Sequence, residues 1–331
     1  MGQNKDLEFE TFFTNLDDST VIIQNEVKLT YLEALVLAGE KLFQGEINQS
    51  LSELAEKKIT IALSNINLEE LSKEQIRKAF QFAILKGMKE ATQPHHAMTP
   101  DAVALFMSYL VNKLTEKKEH FSILDPAVGA ANLLTAILNG SSKQVESFGI
   151  EPDETLLRLA YVSANMQEHN IELFHQDSLQ ETFIAANIDI VVSDLPVGHY
   201  PNEAVASKYS LKAENGMSYT HHLMIEQALN HVKSGGFLLF LIPNFMLETK
   251  QAKQLHSYIK DHAHIYALLQ LPKSMFKDEK HGKSIFIIRK KGDGIKGPTQ
   301  ALLAELPSFS NKQRLSEMIS SINNWFSEYL K

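Results

Sequence analysis

Residues 121–134, which read FSILDPAVGAANLL, decide the fold of this chain. A short apolar run that ends at Leu124 meets Asp125 and Pro126, and small residues separate it from a second apolar run that begins at Leu133. This order predicts a buried strand, a tight turn with little side-chain bulk and the start of a helix. A ligand can lie against the backbone of such a turn, beside the free N–H groups of the helix. A plain strand-to-helix turn is the alternative interpretation of this segment alone.

The composition is that of an ordinary globular protein. The chain has 331 residues, of which 44% are hydrophobic and 22% charged, and this length favours two domains over one. It has no cysteine, which excludes disulfides, thiolate metal sites and cysteine nucleophiles. No leader opens the chain, and no apolar run approaches the roughly 18 residues of a membrane span. We therefore expect a cytoplasmic protein without membrane contact.

The net charge of −8 is unevenly distributed along the chain. Residues 141–230 carry 4 Lys or Arg against 13 Asp or Glu, whereas residues 231–300 carry 12 against 5. Two interpretations of the second stretch are open, a basic face for a phosphate backbone or a solvated surface.

The motifs, taken in order, resemble those of class I S-adenosylmethionine-dependent methyltransferases. Within that class they are most similar to N6-adenine DNA methyltransferases related to the modification subunits of type I restriction systems. The first motif of that family reads roughly D-P-A-x-G-x-G-N-L-L, and residues 125–134 match it except that Ala131 replaces a glycine. The similarity runs from about His95 to Lys291. It implies an α/β, Rossmann-like methyltransferase fold with a seven-stranded mixed sheet.

The first ninety residues lie outside this resemblance and are predicted to be helical. Apolar residues recur at helical spacing over residues 29–42, 47–59 and 73–88, and Thr30 is placed to cap the first of these helices. We expect a helical packing or association domain, through which a specificity subunit or a second copy of the chain binds. The predicted domains are residues 1–92 (helical), 93–291 (methyltransferase) and 292–331 (linker and C-terminal helices).

The resemblance implies S-adenosylmethionine as the cofactor and provides most of its predicted contacts. The predicted cofactor-binding residues are Thr99, Asp125, Pro126, Ala127, Gly129, Asn132, Leu133, Glu151, Pro152, Asp177, Ser178, Leu179 and Asp194. In the family, the threonine lies next to the methionine end of the cofactor, and the aspartate at the position of Asp177 contacts the adenine amino group. An aspartate that caps a turn after a strand is the alternative for Asp177.

Spacing supports the role of Glu151 independently. It follows the second predicted strand, about 20 residues after the glycine turn, where a carboxylate can accept both ribose hydroxyls of a nucleoside. An exposed loop acid is the alternative interpretation.

The predicted catalytic residues are Asp194, Leu195, Pro196 and Val197, at the carboxyl end of the fourth predicted strand, where open α/β sheets bind ligands. N6-adenine methyltransferases have Asn or Asp, two prolines and then Tyr or Phe at this point. There the acid or amide and a backbone carbonyl accept hydrogen bonds from the target amino group, and the aromatic ring stacks on the flipped base. Val197 removes that ring, and Tyr200 is a candidate to restore an aromatic wall.

A second predicted substrate-binding residue is Phe276, in a basic segment that resembles the family's L-P-x-x-x-F segment. The histidine pairs are predicted to be a polar loop (His95 and His96) and hydrogen-bonded structural histidines (His221 and His222), and no metal is expected.

These features predict methyl transfer from S-adenosylmethionine, most plausibly to adenine N6 in DNA. Three alternatives stay open: a protein amide or RNA as the substrate, a cofactor-binding regulatory module without catalysis and, more weakly, a dinucleotide-dependent oxidoreductase. No dedicated target-recognition domain is visible in the sequence.

Overall fold

The structure of the chain is a computed structural model that describes residues 2–47, 49–90, 98–181, 184, 187–249 and 251–330. The predicted domain boundary near residue 92 and the pair His95 and His96 lie outside the described residues. The α-helices are α1 (Gly2–Val27), α2 (Tyr31–Gln44), α3 (Glu53–Ser64), α4 (Lys73–Glu90), α5 (Asp101–Leu114), α6 (Asn132–Gly140), α7 (Glu154–Met166), α8 (Glu203–Ala206), α9 (Thr220–His231), α10 (Ala252–His262) and α11 (Lys312–Tyr329).

The strands are β1 (His120–Asp125), β2 (Gln144–Glu151), β3 (Ile171–His175), β4 (Ile188–Asp194), β5 (Val232–Pro243), β6 (Ala263–Gln270), β7 (Lys283–Lys290) and β8 (Leu302–Glu305). They form one mixed sheet in the order β3-β2-β1-β4-β5-β7-β6-β8. The chain divides into two compact units. The first comprises Met1–Pro100, Val128–Ser142 and Gly149–His175, and the second comprises Asp101–Ala127, Lys143–Phe148 and Gln176–Lys331.

In the first unit, the N-terminal helices share a hydrophobic core with α7. Fully buried side chains of this core come from the N-terminal helices and from α7, among them Leu35, Ile59, Leu159 and Val162. Burying each such side chain contributes roughly 1.5–3 kcal/mol, so α7 and the N-terminal helices stabilise one another.

Local sequence sets where two of these helices begin. Thr30 caps the start of α2, as the sequence predicts, and Glu33 completes a capping box there. The helix predicted over residues 47–59 instead spans Glu53–Ser64, because the Ser52 side chain accepts the Ala55 N–H and fixes the start of α3 there.

The second unit contains most of the sheet. Strands β1, β4 and β5 run parallel, and β7 is antiparallel between β5 and β6. Asp194 at the end of β4 pairs in register with Leu241 of β5, and Pro243 of β5 pairs with Lys283 of β7. The carboxyl ends of β4 and β5 and the amino end of β7 therefore meet at one edge of the sheet.

The sheet has eight strands rather than the seven that the sequence predicts. Residues 301–331 were expected to be helical, but Leu302–Glu305 pairs in parallel with β6, and Leu306 N–H donates to the Gln270 carbonyl at 2.8 Å. A four-residue edge strand carries too short a pattern to distinguish it from a helix end.

The start of β5 also differs from what its sequence predicts. A glycine pair after a helical stretch predicts a helix end, but Gly235 and Gly236 lie inside β5, where Gly235 has a φ of +75°. A Cβ atom at Gly236 would lie 2.8 Å from the Asp189 carbonyl oxygen, so the close approach of β4 requires glycine there. None of the helices in the described part of the chain is both long and apolar enough to cross a membrane.

Candidate active site

In the first unit, the Gly129 turn within the first motif is held by the carboxylate of Glu151. Gly129 N–H donates to its Oε2 at 2.9 Å and Asp153 N–H donates to its Oε1 at 3.0 Å, which orients both oxygens. Burial raises the pKa of Glu151, and the two backbone hydrogen bonds oppose that rise. An ionised carboxylate accepts about four hydrogen bonds, so Glu151 has the capacity for further donors. The structure thus joins Glu151 to Gly129, and the ribose contact stays a prediction.

Gly129 leaves open space beside the turn. Its φ is +54°, and a Cβ atom built there would meet no heavy atom within 4 Å. Glycine is therefore required here for the backbone conformation, which strains other residues. The absence of a side chain also leaves the backbone of the turn accessible.

Ala131, which replaces the family's glycine, keeps the left-handed backbone. Its φ is 62° and its ψ is 19°, and it stands at the N-cap of α6 without a side-chain capping bond. A residue with a Cβ atom costs about 1–2 kcal/mol in this region. The alanine at this position therefore strains the turn.

We expect Ala131→Gly to stabilise the protein by about 0.5–1 kcal/mol, because relief of the left-handed strain exceeds the extra chain entropy of glycine. Urea unfolding of both proteins measures the difference. The matched control is Ala136→Gly inside α6, which should destabilise by about 1 kcal/mol. Equal losses from the two substitutions would contradict the assignment of strain to residue 131.

A buried network in the first unit surrounds Asn132. Its Oδ1 accepts a hydrogen bond from Arg77 Nη1 at 2.7 Å, and its Nδ2 donates to the Thr99 carbonyl at 3.1 Å. Arg77 is 1% exposed and is paired with Glu74. The predicted residues Asn132 and Thr99 are therefore in contact, and the Asn132 amide binds protein groups at both ends.

Arg77 is a residue that the sequence analysis missed. It occupies a position on the apolar stripe of α4, three residues before Phe80 and seven before Ile84, where a charged residue signals a buried partner. Leu133 is buried in α6, and Pro152 is exposed after β2.

In the second unit, the end of β1 is fixed by Asp125. Its side chain is 1% exposed, and its Oδ1 accepts the Ala127 N–H at 3.1 Å across Pro126. This is an Asx turn, which explains locally why an Asp-Pro pair ends the strand.

Asp177 and Tyr200 are in direct contact. Asp177 Oδ1 accepts the Leu179 N–H at 3.0 Å, and its Oδ2 accepts the Tyr200 hydroxyl. Tyr200 is 6% exposed, and burial followed by Asp177 raises its pKa above the usual range. Its ring thus does not present an open face for a base, and Tyr200 supports the predicted cofactor acid instead. Ser178 is buried beside it.

The predicted catalytic tetrapeptide lies at the carboxyl end of β4. Leu195 is buried, and its N–H donates to the Leu241 carbonyl at 3.1 Å, which fixes the tetrapeptide to β5. Pro196 is exposed, and Val197 is 41% exposed. Position 197 therefore faces solvent at this edge, but its side chain is not aromatic.

Asp194 forms an ion pair that the sequence analysis did not predict. Lys283 Nζ lies 2.6 Å from Asp194 Oδ1, and the two side chains are 23% and 14% exposed. Lys283 was noted only as part of a basic segment. No sequence signal identifies it, because the contact depends on the register of β4, β5 and β7. Phe276, in the same segment, is half-buried.

Aromatic rings line the same part of the second unit. His199 stacks on Tyr219 with centroids 4.8 Å apart, Tyr219 stacks on His221 at 5.1 Å, and His221 meets the edge of Phe245 at 6.4 Å. Phe245 is 41% exposed. It follows β5, and the sequence analysis assigned it no role.

His221 differs from the hydrogen-bonded histidine that was predicted. It is fully buried, and neither ring nitrogen has a hydrogen-bond partner among the residues that the structure describes. Burial, followed by the neighbouring His222 and His199, lowers the pKa of His221 to about 3. The ring is therefore neutral at physiological pH.

This burial makes stability depend on pH. The pKa of His221 falls from 6.5 in the unfolded chain to about 3 in the folded one. Below pH 6.5 the unfolded chain binds a proton on this histidine and the native state does not. The free energy of unfolding therefore decreases as the pH is lowered. Between neutral pH and about pH 5, we expect the free energy of unfolding of His221→Phe to decrease by about 2 kcal/mol less than that of the unmodified protein. Urea unfolding at both pH values measures this difference. The control is His281→Gln at an exposed histidine, which should keep the pH dependence of the unmodified protein. The same unchanged pH dependence in His221→Phe would contradict this assignment.

Comparison with known proteins first gives the class. A structure from Listeria monocytogenes, provisionally assigned as a class I S-adenosylmethionine-dependent methyltransferase, is 38% identical with a TM-score of 0.90 and covers 97% of this chain and 99% of its own. A methyltransferase subunit of a type I restriction-modification system from Streptococcus thermophilus has a TM-score of 0.66 at 15% identity, over 82% of this chain and 62% of its own. The predicted class and fold are confirmed.

The chain belongs to the N-6 DNA methylase family, whose family model matches residues 84–329. Residues 10–88 match a second family model, described as the YtxK N-terminal helical domain. The chain is 46% identical over 314 residues to the uncharacterized protein YtxK of Bacillus subtilis (strain 168), covering 94% of this chain and 95% of that protein. It is thus an S-adenosylmethionine-dependent methyltransferase with an N-terminal helical segment of the YtxK type.

Proposed function

We propose that this protein methylates the N6 amino group of adenine in DNA. The observation that carries the proposal is the placement of Asp194 and Leu195. The carboxylate stands at the carboxyl end of a buried parallel strand, and the next peptide is fixed to β5 by the Leu195 N–H bond. Membership of the N-6 DNA methylase family supports adenine as the substrate of this acceptor.

The residues of the first motif fit S-adenosylmethionine. Gly129 leaves the backbone of its turn open, and the buried Glu151 carboxylate is oriented by backbone N–H groups with acceptor capacity remaining. We assign the ribose hydroxyls to Glu151 and the cofactor's adenine amino group to Asp177, with the remaining predicted residues of both segments as packing. When bound, the cofactor supplies an electrophilic methyl group on a sulfonium ion.

The chain's own residues then position the target. Asp194 accepts one hydrogen bond from the adenine amino group, and the Leu195 carbonyl accepts the other, so that the nitrogen lone pair is directed away from both. The bound cofactor would supply the methyl group to the nitrogen that Asp194 and the Leu195 carbonyl hold in place. Catalysis is therefore mostly orientation, which alone can contribute about 7–11 kcal/mol.

We further propose that recognition of a DNA sequence needs a specificity subunit or a second copy of this chain, bound through the N-terminal helices. The restriction-system neighbour named above is itself a subunit, which supports this arrangement. The basic stretch at residues 231–300 supports contact with a phosphate backbone.

The activity is tested with methyl-labelled S-adenosylmethionine and total bacterial DNA, RNA and protein. We expect label in N6-methyladenine, and we expect Asp194→Ala to reduce kcat at least about 100-fold at saturating cofactor, because orientation of the amine is lost. Label found only in protein or only in RNA would show that the substrate is that macromolecule and not DNA. Intact cofactor binding without any transfer would favour a regulatory module.

Cofactor binding itself is tested at Glu151. We expect Glu151→Gln to weaken S-adenosylmethionine binding by about tenfold or more in calorimetry, since hydrogen bonds to a charged acceptor contribute roughly 1.5–3 kcal/mol. Glu154→Gln, three residues away and exposed, is the matched control and should bind normally. Unchanged affinity in a folded Glu151→Gln protein would remove the ribose assignment.

A further inference from the structure

The acceptor carboxylate of the proposed reaction has a cationic partner from a distant part of the chain. Lys283 and Asp194 are 89 residues apart in sequence, yet Nζ and Oδ1 are 2.6 Å apart. Such a charge-assisted bond is among the stronger hydrogen bonds in proteins, and partial burial of both groups protects it from solvent screening.

Rigid strands, and not flexible loops, place the two groups. Asp194 ends β4 and Lys283 begins β7, and β5 lies between them in the sheet. The two flanking strands lie about 9–10 Å apart, so the lysine side chain spans the end of β5 to reach the carboxylate. The register of Pro243 with Lys283 and of Leu241 with Asp194 sets this reach.

We propose that Lys283 is a positioning residue that fixes the Asp194 carboxylate for the target amino group. This inference rests on the proposed function. A carboxylate offers about four lone-pair sites, so the ammonium and an incoming amine can share it. The ammonium holds the carboxylate in one orientation, and orientation is what this type of catalysis requires.

The pair also has a consequence for substitutions at Asp194. An ammonium binds the oxygen of a carboxamide and not its NH2 group, because the NH2 group is a donor. In Asp194→Asn, Lys283 therefore holds the amide oxygen and turns the NH2 donor toward the target amine, which needs an acceptor. Removing the lysine as well frees the amide oxygen to accept from the amine.

The experiment is a double-mutant cycle on the full chain with Asp194→Asn, Lys283→Met and both together. Methionine keeps the length of the side chain and removes its charge. Transfer of labelled methyl groups to adenine-containing DNA is measured as kcat and KM, with cofactor affinity and thermal unfolding recorded for every variant. Lys253→Met, on the exposed face of α10, is the matched control.

We expect Lys283→Met to lower kcat about tenfold with KM and cofactor affinity nearly unchanged, and Lys283→Arg to retain most activity. The double variant should transfer methyl groups about tenfold faster than Asp194→Asn alone. A role in binding the DNA backbone predicts the opposite pattern, in which KM rises and the loss is the same in both backgrounds. That result would overturn the proposal.

Other outcomes are also decisive. If Lys283→Met does not fold, the cycle is run with Lys283→Gln. The proposal still requires that Asp194→Asn/Lys283→Gln transfer methyl groups faster than Asp194→Asn alone. If the unmodified protein is active and the decreases in kcat of the two folded single variants simply add in the double variant, the role of Lys283 is overturned while the proposed function stands. Unmodified protein that binds the cofactor but methylates no adenine would overturn the proposed function and this inference together.

Discussion

The parallel pairing of β4 with β5 is the constraint on which the candidate active site depends. Five consecutive pairs hold the two strands in register from Ile190 to Asp194, and the side chains of both strands along this length are buried except that of Asp194. Because the strands are parallel, their carboxyl ends reach the same edge of the sheet. The antiparallel β7 enters the sheet at that edge, so its first residue meets the last residue of β4. This one register sets the positions of the acceptor Asp194, the neighbouring peptide of Leu195 and the cationic partner Lys283.

Within each unit, backbone N–H groups fix most of the acids that are predicted site residues. Glu151 accepts from Gly129 and Asp153, Asp125 accepts from Ala127, and Asp177 accepts from Leu179. A buried carboxylate is costly unless it is hydrogen-bonded, and turns satisfy it with donors that have no other role. Asp194 accepts a hydrogen bond from a side chain at the start of another strand, that of Lys283. A substitution at Lys283 therefore removes this bond without changing the path of the chain.

Aromatic residues are present near the tetrapeptide although Val197 is not one of them. The rings of His199, Tyr219 and His221 follow one another at stacking distances, and Phe245 meets the last of them edge-on. His221 contributes a flat ring at the cost of two buried nitrogens without partners among the described residues. Tyr200 is buried, and its hydroxyl donates to Asp177.

Local patterns determined much of this protein. The strand–turn–helix at residues 121–134, the capping box of α2 and the Asp194 tetrapeptide at a strand end follow from neighbouring residues, because caps, Asx turns and hydrophobic periods act over a few positions. The spacing of Glu151 after the glycine turn belongs with them. The sequence did not determine β8 or the start of β5, where four-residue pairing and a close strand approach decide the structure.

Only the tertiary structure decided how these pieces meet. The contacts between Lys283 and Asp194, between Tyr200 and Asp177, and between Arg77 and Asn132 join residues 23 to 89 positions apart. Each depends on strand register or helix packing, which the burial of a whole core sets and no short pattern encodes. The sequence alone determined the class of chemistry, and the packing of the sheet decided which side chains surround the acceptor.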